Sequence, residues 1–260
     1  MVIALKSQLS KPVVMGVVGY FERDFQQQIR QDALQAMLEN WQALGLMQRV
    51  NSLAEFLAMQ VEVLALSDYG QALKNLQSLA EHCRKSYGDM VQFVFPQMVV
   101  HWGLNQSDWR EVSLQALVEL TELYTSEFAV RQFIAAYPDE AMQATLVKWC
   151  ASESPHHRRL ASESSRPRLP WAKDLALTKH QPEWSLPILE RLKQDTHRYV
   201  QKSVANHLHD HLKFQPEWAY AVLEKWVETQ SVSPWIVRHA LRNEKDKTPQ
   251  AKRILEKCTS

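Results

Sequence analysis

Apolar side chains recur along most of this chain at the three- and four-residue spacing that lines one side of an α-helix. Leu53, Phe56, Leu57 and Val61 form one stripe; Ile29, Ala33, Ala36, Met37 and Trp41 lie near another. Val200, Val204, Leu208 and Leu212 form a third. Valine runs of strand character are short. From Phe21 to about Leu104 the pattern predicts helices that act as scaffold, with Gly70 and Gly88 marking turns between apolar segments. The Met and aromatic stripes there read as core rather than cofactor contacts. The apolar run Val13 to Phe21 is too short to span a bilayer. Lys6 and Lys11 give it the look of a signal peptide, but no small-x-small cleavage site follows, so it predicts the opening of a core helix.

Beyond Asn105 the chain repeats itself. Gln181-Pro182-Glu183-Trp184 returns as Gln215-Pro216-Glu217-Trp218, each placing proline and glutamate where a first helical turn prefers them. An apolar-periodic helix follows each copy, and a second helix follows that. Lys202 and Arg238 hold equivalent places in the second helices, and EFAVRQFI with Arg131 and HHRRLASE with Arg159 look like diverged copies. Helix pairs at a period near ~40 residues, with a basic residue recurring in the second helix, fit HEAT-like repeats. Such pairs stack into a solenoid whose concave face is lined by the second helices. The expectation is a single all-α domain over 1–260: scaffold helices in 1–104, and in 105–258 a HEAT-like helical-repeat solenoid with a concave basic face. An irregular helical bundle is the alternative.

Composition narrows the setting. A chain with 45% hydrophobic and 23% charged residues is an ordinary globular protein, and only six glycines favours helices over turns and strands. Cys83, Cys150 and Cys258 are an odd number at wide spacing, which argues for a reducing compartment and against a disulfide framework. The expected location is the cytoplasm, a bacterial-type cytosol and nucleoid, with no membrane and no obligate protein partner.

Net charge is only +1, so the stretch HHRRLASESSRPRLPW, residues 156–171, is a local concentration of cations. Arg158, Arg159, Arg166 and Arg168 surround one acid, Glu163. Basic side chains with an aromatic suggest a phosphate-backbone surface, where a lone carboxylate needs a reason. Trp171 follows Pro167 and Pro170 in a proline-stiffened segment. It either staples the loop to the next helix or presents its indole to a nucleotide. In the helix around 198–213, Arg198, Lys202, Asn206, His209, Asp210 and Lys213 gather opposite the apolar stripe. Asp210 is again a single acid on a basic face, unless it and Lys213 are simply a solvated pair. His207, His209 and His211 alternate, but face the apolar stripe with no Cys or carboxylate at metal-site spacing, so they read as packed rather than as metal ligands. Thr125-Ser126-Glu127 predicts a helix start, with Arg131 one turn on, and this pair would also face the groove.

RRLASESSRPRLPW, then YVQKSVANHLHDHLK and WIVRHALR, resembles the AlkC branch of the AlkC/AlkD-type DNA alkylation repair glycosylases, over roughly residues 105–243. The resemblance implies a HEAT-like fold, double-stranded DNA containing alkylated bases as partner, and excision of cationic bases such as 3-methyladenine and 3-methylcytosine. It puts Glu163 and Asp210 on the family's active-site carboxylates, with Arg166 and Trp171 beside them. Arg158, Arg159, Lys202, Asn206, Lys213, Glu127 and Arg131 complete the expected DNA- and substrate-binding set. Ser164, Ser165 and Gln201 depart from the family's pattern, and the first hundred residues resemble it loosely. No room is left after Ser260 for the immunoglobulin-like domain that some members carry.

The chemistry suits these residues. A base alkylated at a ring nitrogen is cationic and leaves as a neutral molecule, so it needs little from a general acid. A carboxylate stabilises the oxocarbenium-like sugar and orients the attacking water. No metal or organic cofactor is expected. The competing class is a non-enzymatic HEAT-like module that binds nucleic acid or protein. A metal hydrolase built on the histidines ranks third.

Overall fold

The computed structural model describes residues 5–244 and 247–258, and among them every regular element is helical. Two compact units divide the chain between Phe133 and Ile134.

The first unit contains α1 (Lys11–Phe25), α2 (Gln31–Leu38), α3 (Leu46–Gln60), α4 (Glu62–Ser67), α5 (Tyr69–Tyr87), α6 (Val94–Gly103) and α7 (Arg110–Thr121). α8 (Glu127–Ala136) runs across the division. The run Val13 to Phe21 lies in α1, which buries Val14, Val17, Val18, Phe21 and Phe25. α1 packs on α5 and α3 on α6. The stripe expected around Ile29 to Trp41 is corrected: α2 ends at Leu38 and buries Leu34 and Leu38, while Ile29 and Trp41 are buried from outside it. Gly70 is corrected too. It sits inside the first turn of α5, after the Asp68 side chain has accepted the Gln71 N–H at 2.9 Å and started the helix. Gly88 does end α5, at φ 74°, a backbone region that suits glycine.

The second unit contains α9 (Glu140–Trp149), α10 (Pro155–Ser164), α11 (Ala176–His180), α12 (Leu186–Leu192), α13 (Arg198–Phe214), α14 (Pro216–Glu228), α15 (Pro234–Ala240) and α16 (Pro249–Lys257). Proline opens α10, α14, α15 and α16, where its missing N–H costs no hydrogen bond. The two copies of Gln-Pro-Glu-Trp fold differently. The second runs straight into α14, but the first makes a short 3-10 turn, Pro182–Ser185. Pro187 follows it and lacks the N–H that an unbroken α-helix would bond to Glu183, so the helix restarts as α12.

The pairs expected from sequence are α12 with α13 and α14 with α15, and α9 with α10 precedes them. Their second members lie side by side, α10 against α13 and α13 against α15, while α9 packs on α12 and α14 on α16. That gives two helical layers, one of which carries the residues discussed next.

Candidate active site

α10 starts cleanly. Ser154 accepts the His156 N–H through its side chain at 3.2 Å, and Pro155 follows. At the other end Ser164 and Ser165 donate back to the carbonyls of Leu160 and Ala161, at 2.7 and 2.8 Å. There the helix stops, and Arg166, three residues past Glu163, folds its guanidinium onto that carboxylate.

Arg166 joins two acids that are distant in sequence. Its Nη1 donates to Glu163 Oε1 at 2.6 Å, and its Nε donates to Asp210 Oδ2 at 2.8 Å with Nη2 also 2.8 Å from that oxygen. Glu163, Arg166 and Asp210 are 8%, 8% and 6% exposed, so the contacts act in a poorly screening environment. Arg159 Nη2 lies 3.4 Å from Glu163 Oε1, one helical turn before it. Ser203 Oγ donates to Glu163 Oε2 at 2.7 Å. Among the described residues Asp210 Oδ1 accepts no hydrogen bond.

The acids therefore titrate apart. Burial pushes Glu163 up, but Arg159, Arg166 and the Ser203 hydroxyl together outweigh it and hold the carboxyl below the usual range. For Asp210 burial wins over Arg166 and Lys213, and the carboxyl sits above the usual range. Two neighbouring carboxylates pushed in opposite directions are a common mark of acid–base or electrostatic function.

Around this core the predicted residues fare unequally. Arg159 lays its guanidinium over the Tyr199 ring, 4.9 Å from the centroid. Tyr199 was not singled out from sequence, although an aromatic beside Arg198 at a helix start was the available signal. Lys202 and Lys213 are exposed on α13, and Asn206 accepts from Arg242 Nη2 at 3.1 Å. Arg242 was also missed; it raises no periodicity signal because it lies just past the end of α15. Arg158 turns away from the acids: Nε and Nη2 meet Asp195 at 2.6 and 3.2 Å, and Nη1 donates to the Ser152 and Glu153 carbonyls. It ties the start of α10 to the loop before α13. Glu127 and Arg131 are buried on α8, in the first unit.

The polar face read along α13 needs correcting in two places. His209 is buried, with Nδ1 donating to the Ala240 carbonyl at 2.9 Å, and Asp210 is buried against Arg166 rather than solvated beside Lys213. The helix is enclosed by α10 on one side and α15 on the other, so only a narrow strip bearing Arg198, Tyr199, Lys202 and Lys213 reaches solvent. The other histidines are packed: His207 stacks on His211 at 5.2 Å, and His211 lies 4.8 Å from Trp218. Burial lowers His211 to about 4.

Trp171 is 55% exposed, so it does not staple its loop. Leu169 and Leu175, each 3% exposed, do that, along with the Leu175 N–H bond to the Pro167 carbonyl at 2.9 Å. Pro170 and Trp171 are the central residues of a turn closed by Ala172 N–H on Leu169 O at 3.3 Å, and Trp171 has φ 66°. This is the turn position that glycine ordinarily fills. A large aromatic is thus held in a strained backbone and shown to solvent.

The family model described as DNA alkylation repair enzyme matches residues 124–243. The Bacillus subtilis (strain 168) protein YhaZ is 41% identical over 209 residues, which is 79% of this chain and 54% of that one. The chain thus spans about half the length of that curated relative. The structure is similar to that of Pseudomonas fluorescens alkylpurine DNA glycosylase AlkC bound to DNA containing an abasic site analog. The TM-score is 0.84 at 32% identity, covering 98% of this chain and 69% of the other.

Arg166→Met keeps side-chain length and removes the charge both acids rely on. Stranding buried carboxylates costs ~3–5 kcal/mol, so urea unfolding should show a loss of that order. A loss below about 1 kcal/mol, the level of a surface ion pair, would mean that Arg166 does not hold the acids. Trp171→Gly should behave oppositely, relieving the left-handed backbone and raising stability by on the order of 1 kcal/mol. A lower unfolding midpoint for that variant would mean that the indole packs.

Proposed function

The chain belongs to the DNA alkylation repair enzyme family, and on that premise we propose that it is a monofunctional DNA glycosylase. It hydrolyses the N-glycosidic bond of cationic N-alkylated bases, 3-methyladenine and 3-methylcytosine, in double-stranded DNA. Such work places it in the cytosol with the nucleoid. Among the described residues no helix is long and apolar enough to cross a membrane.

The observation that carries the reading is the unequal pair of acids. Asp210 is buried, under-compensated by its cations, and keeps one carboxylate oxygen without a partner. A carboxylate in that state favours any positive charge that arrives beside it. Glycosidic cleavage of an alkylated base moves positive charge from the base onto the sugar. Asp210 therefore interacts more strongly with the transition state than with the resting nucleotide, which is what acceleration requires. The same oxygen is placed to orient the attacking water. Glu163, fully engaged by Arg159, Arg166 and Ser203, holds Arg166 in place and adds negative potential. The alkylated base leaves neutral, so no proton donor is needed.

DNA is held by the layer of second helices. Lys202, Lys213, Arg238 and Arg242 are exposed on α13, on α15 and just beyond it, and among the described residues none pairs with a carboxylate. Cations of the opposite layer do pair, Lys193 with Glu190 at 2.6 Å and Lys257 with Glu228 at 2.8 Å. Asn206 fixes Arg242, Arg159 lies over Tyr199, and Trp171 is offered to a nucleotide or sugar. Arg158 serves by bracing α10.

Glu163→Gln and Asp210→Asn remove charge with little change of shape. Each should slow single-turnover base release from methylated DNA on the order of 10²-fold, with binding to intact DNA held or tightened. The double variant should be little worse than the worse single, as for groups acting on one transition state. Wild-type rates in both single variants would leave only a DNA-binding module. Base release should also fall in acid as Asp210 takes up its proton, at a pH above the ~3.9 of an ordinary aspartate. Stability follows the opposite sign for that group. The folded protein holds the Asp210 proton more tightly than the unfolded chain, so the charged form lowers stability at neutral pH, and acid relieves this. Glu163, held low, adds stability above its unfolded value and loses it as pH falls through its depressed one.

Affinity for undamaged duplex should fall steeply with salt. With ~4–6 phosphates neutralised, log K against log salt should slope near −4 to −5. A flat response would remove the cationic strip from the DNA interface.

A further inference from the structure

We propose that Ser203 is a positioning residue for base release: it pins the second oxygen of Glu163, so that Asp210 Oδ1 is the carboxylate oxygen left open to the substrate. The inference rests on the glycosylase reading above and deepens it by dividing the work between the two acids.

Ser203 lies on α13 two helical turns before Asp210, hence on the same side of the helix. It is 2% exposed, at the crossing with α10, where a small side chain is needed for the helices to meet. Alanine would satisfy that need, so the hydroxyl calls for a separate explanation. It is a buried polar group and must be bonded. Its oxygen lies 2.7 Å from Glu163 Oε2 and 3.0 Å from the Oγ of fully buried Ser162. The hydroxyl has a single proton, and an ionised carboxylate can only accept, so the shorter, charge-assisted bond goes to Glu163. Next along α10's partner surface, His207 Nδ1 donates to the Ser162 carbonyl at 3.1 Å and locks the two helices in register.

The consequence runs through four groups. Ser203 holds Glu163 Oε2; Arg166 and Arg159 take Oε1; Arg166, fixed by Glu163, directs two donors to Asp210 Oδ2. Glu163 has no oxygen left for water or sugar, while Asp210 keeps Oδ1. Removing the hydroxyl frees Glu163 to rotate and compete for Arg166, and Asp210 loses its fixed geometry. Positioning of this kind acts on the rate rather than on the grip on undamaged DNA.

Single-turnover base release, duplex affinity and thermal midpoint are measured for wild type, Ser203→Ala, Ser203→Thr, Glu163→Gln and the Ser203→Ala/Glu163→Gln double variant. Ser203→Ala should slow release about tenfold, the effect of one lost hydrogen bond to a charged group, with affinity for intact duplex changed less than twofold. Its acid limb should move to higher pH, because Glu163 loses a donor to its charged form. Ser203→Thr restores the hydroxyl and should recover most of the rate. In the Glu163→Gln background the alanine change should have no further effect on rate. A wild-type rate in Ser203→Ala, or a tenfold loss that persists beside Glu163→Gln, overturns the proposal, whatever the thermal midpoints. A wild-type protein that releases no base overturns the glycosylase reading itself, and the positioning role falls with it.

Discussion

One guanidinium, that of Arg166, bonds carboxylates from two helices and is the interaction on which the rest of this unit depends. Ion pairs this deeply buried add little net stability, because desolvating the charges offsets most of their attraction. Their effect is geometric. With one arginine serving two acids, α10 and α13 can approach in only one register without leaving a buried charge unpaired. Small residues at the crossing, Ser162 and Ser203, allow the approach, and the His207 bond to the Ser162 carbonyl fixes it.

The unequal chemistry of the acids follows from that register. Glu163 sits on the same helix as Arg159 and three residues from Arg166, so local sequence alone surrounds it with positive charge. Asp210 arrives from the other helix and receives one face of a guanidinium already committed to Glu163. The same burial therefore leaves one carboxylate comfortable and the other short of compensation. Nothing about aspartate or glutamate as residue types decides this; position relative to Arg166 does. The strained Trp171 turn is set by the same segment, since Pro167 and Pro170 leave the chain few paths from the end of α10 to the buried anchor Leu175.

Much of this was legible before the structure. Apolar spacing reported the helices of the second unit, and the repeated Gln-Pro-Glu-Trp reported the pairing and hence which helices share a layer. The arginine cluster around Glu163 and the lone Asp210 reported both acids. Errors fell where one signal stands for two environments. A polar residue on a helix face is exposed only if no neighbour covers it, and α15 covers His209. An arginine in a basic cluster faces solvent only if no distant acid claims it, and Asp195 claims Arg158. Gly70 was read as a turn because glycine is rare in helices, yet the Asp68 cap tolerates it in a first turn. Ser203 and Arg242 were passed over because a serine and an arginine carry no pattern of their own.

By itself, then, the sequence determined what depends on neighbours close along the chain: helix starts at Asp68, Ser154 and the prolines, the repeat, the local excess of positive charge, and the identity of the two acids. Periodicity and capping are short-range physics, complete within a few residues. Tertiary structure alone decided which oxygen of which acid is bonded, which cations are free for phosphate, and that Trp171 points outward. Each of those is settled by contacts between residues some forty positions apart, and burial and Coulomb energy depend on those distances rather than on the order of residues along the chain.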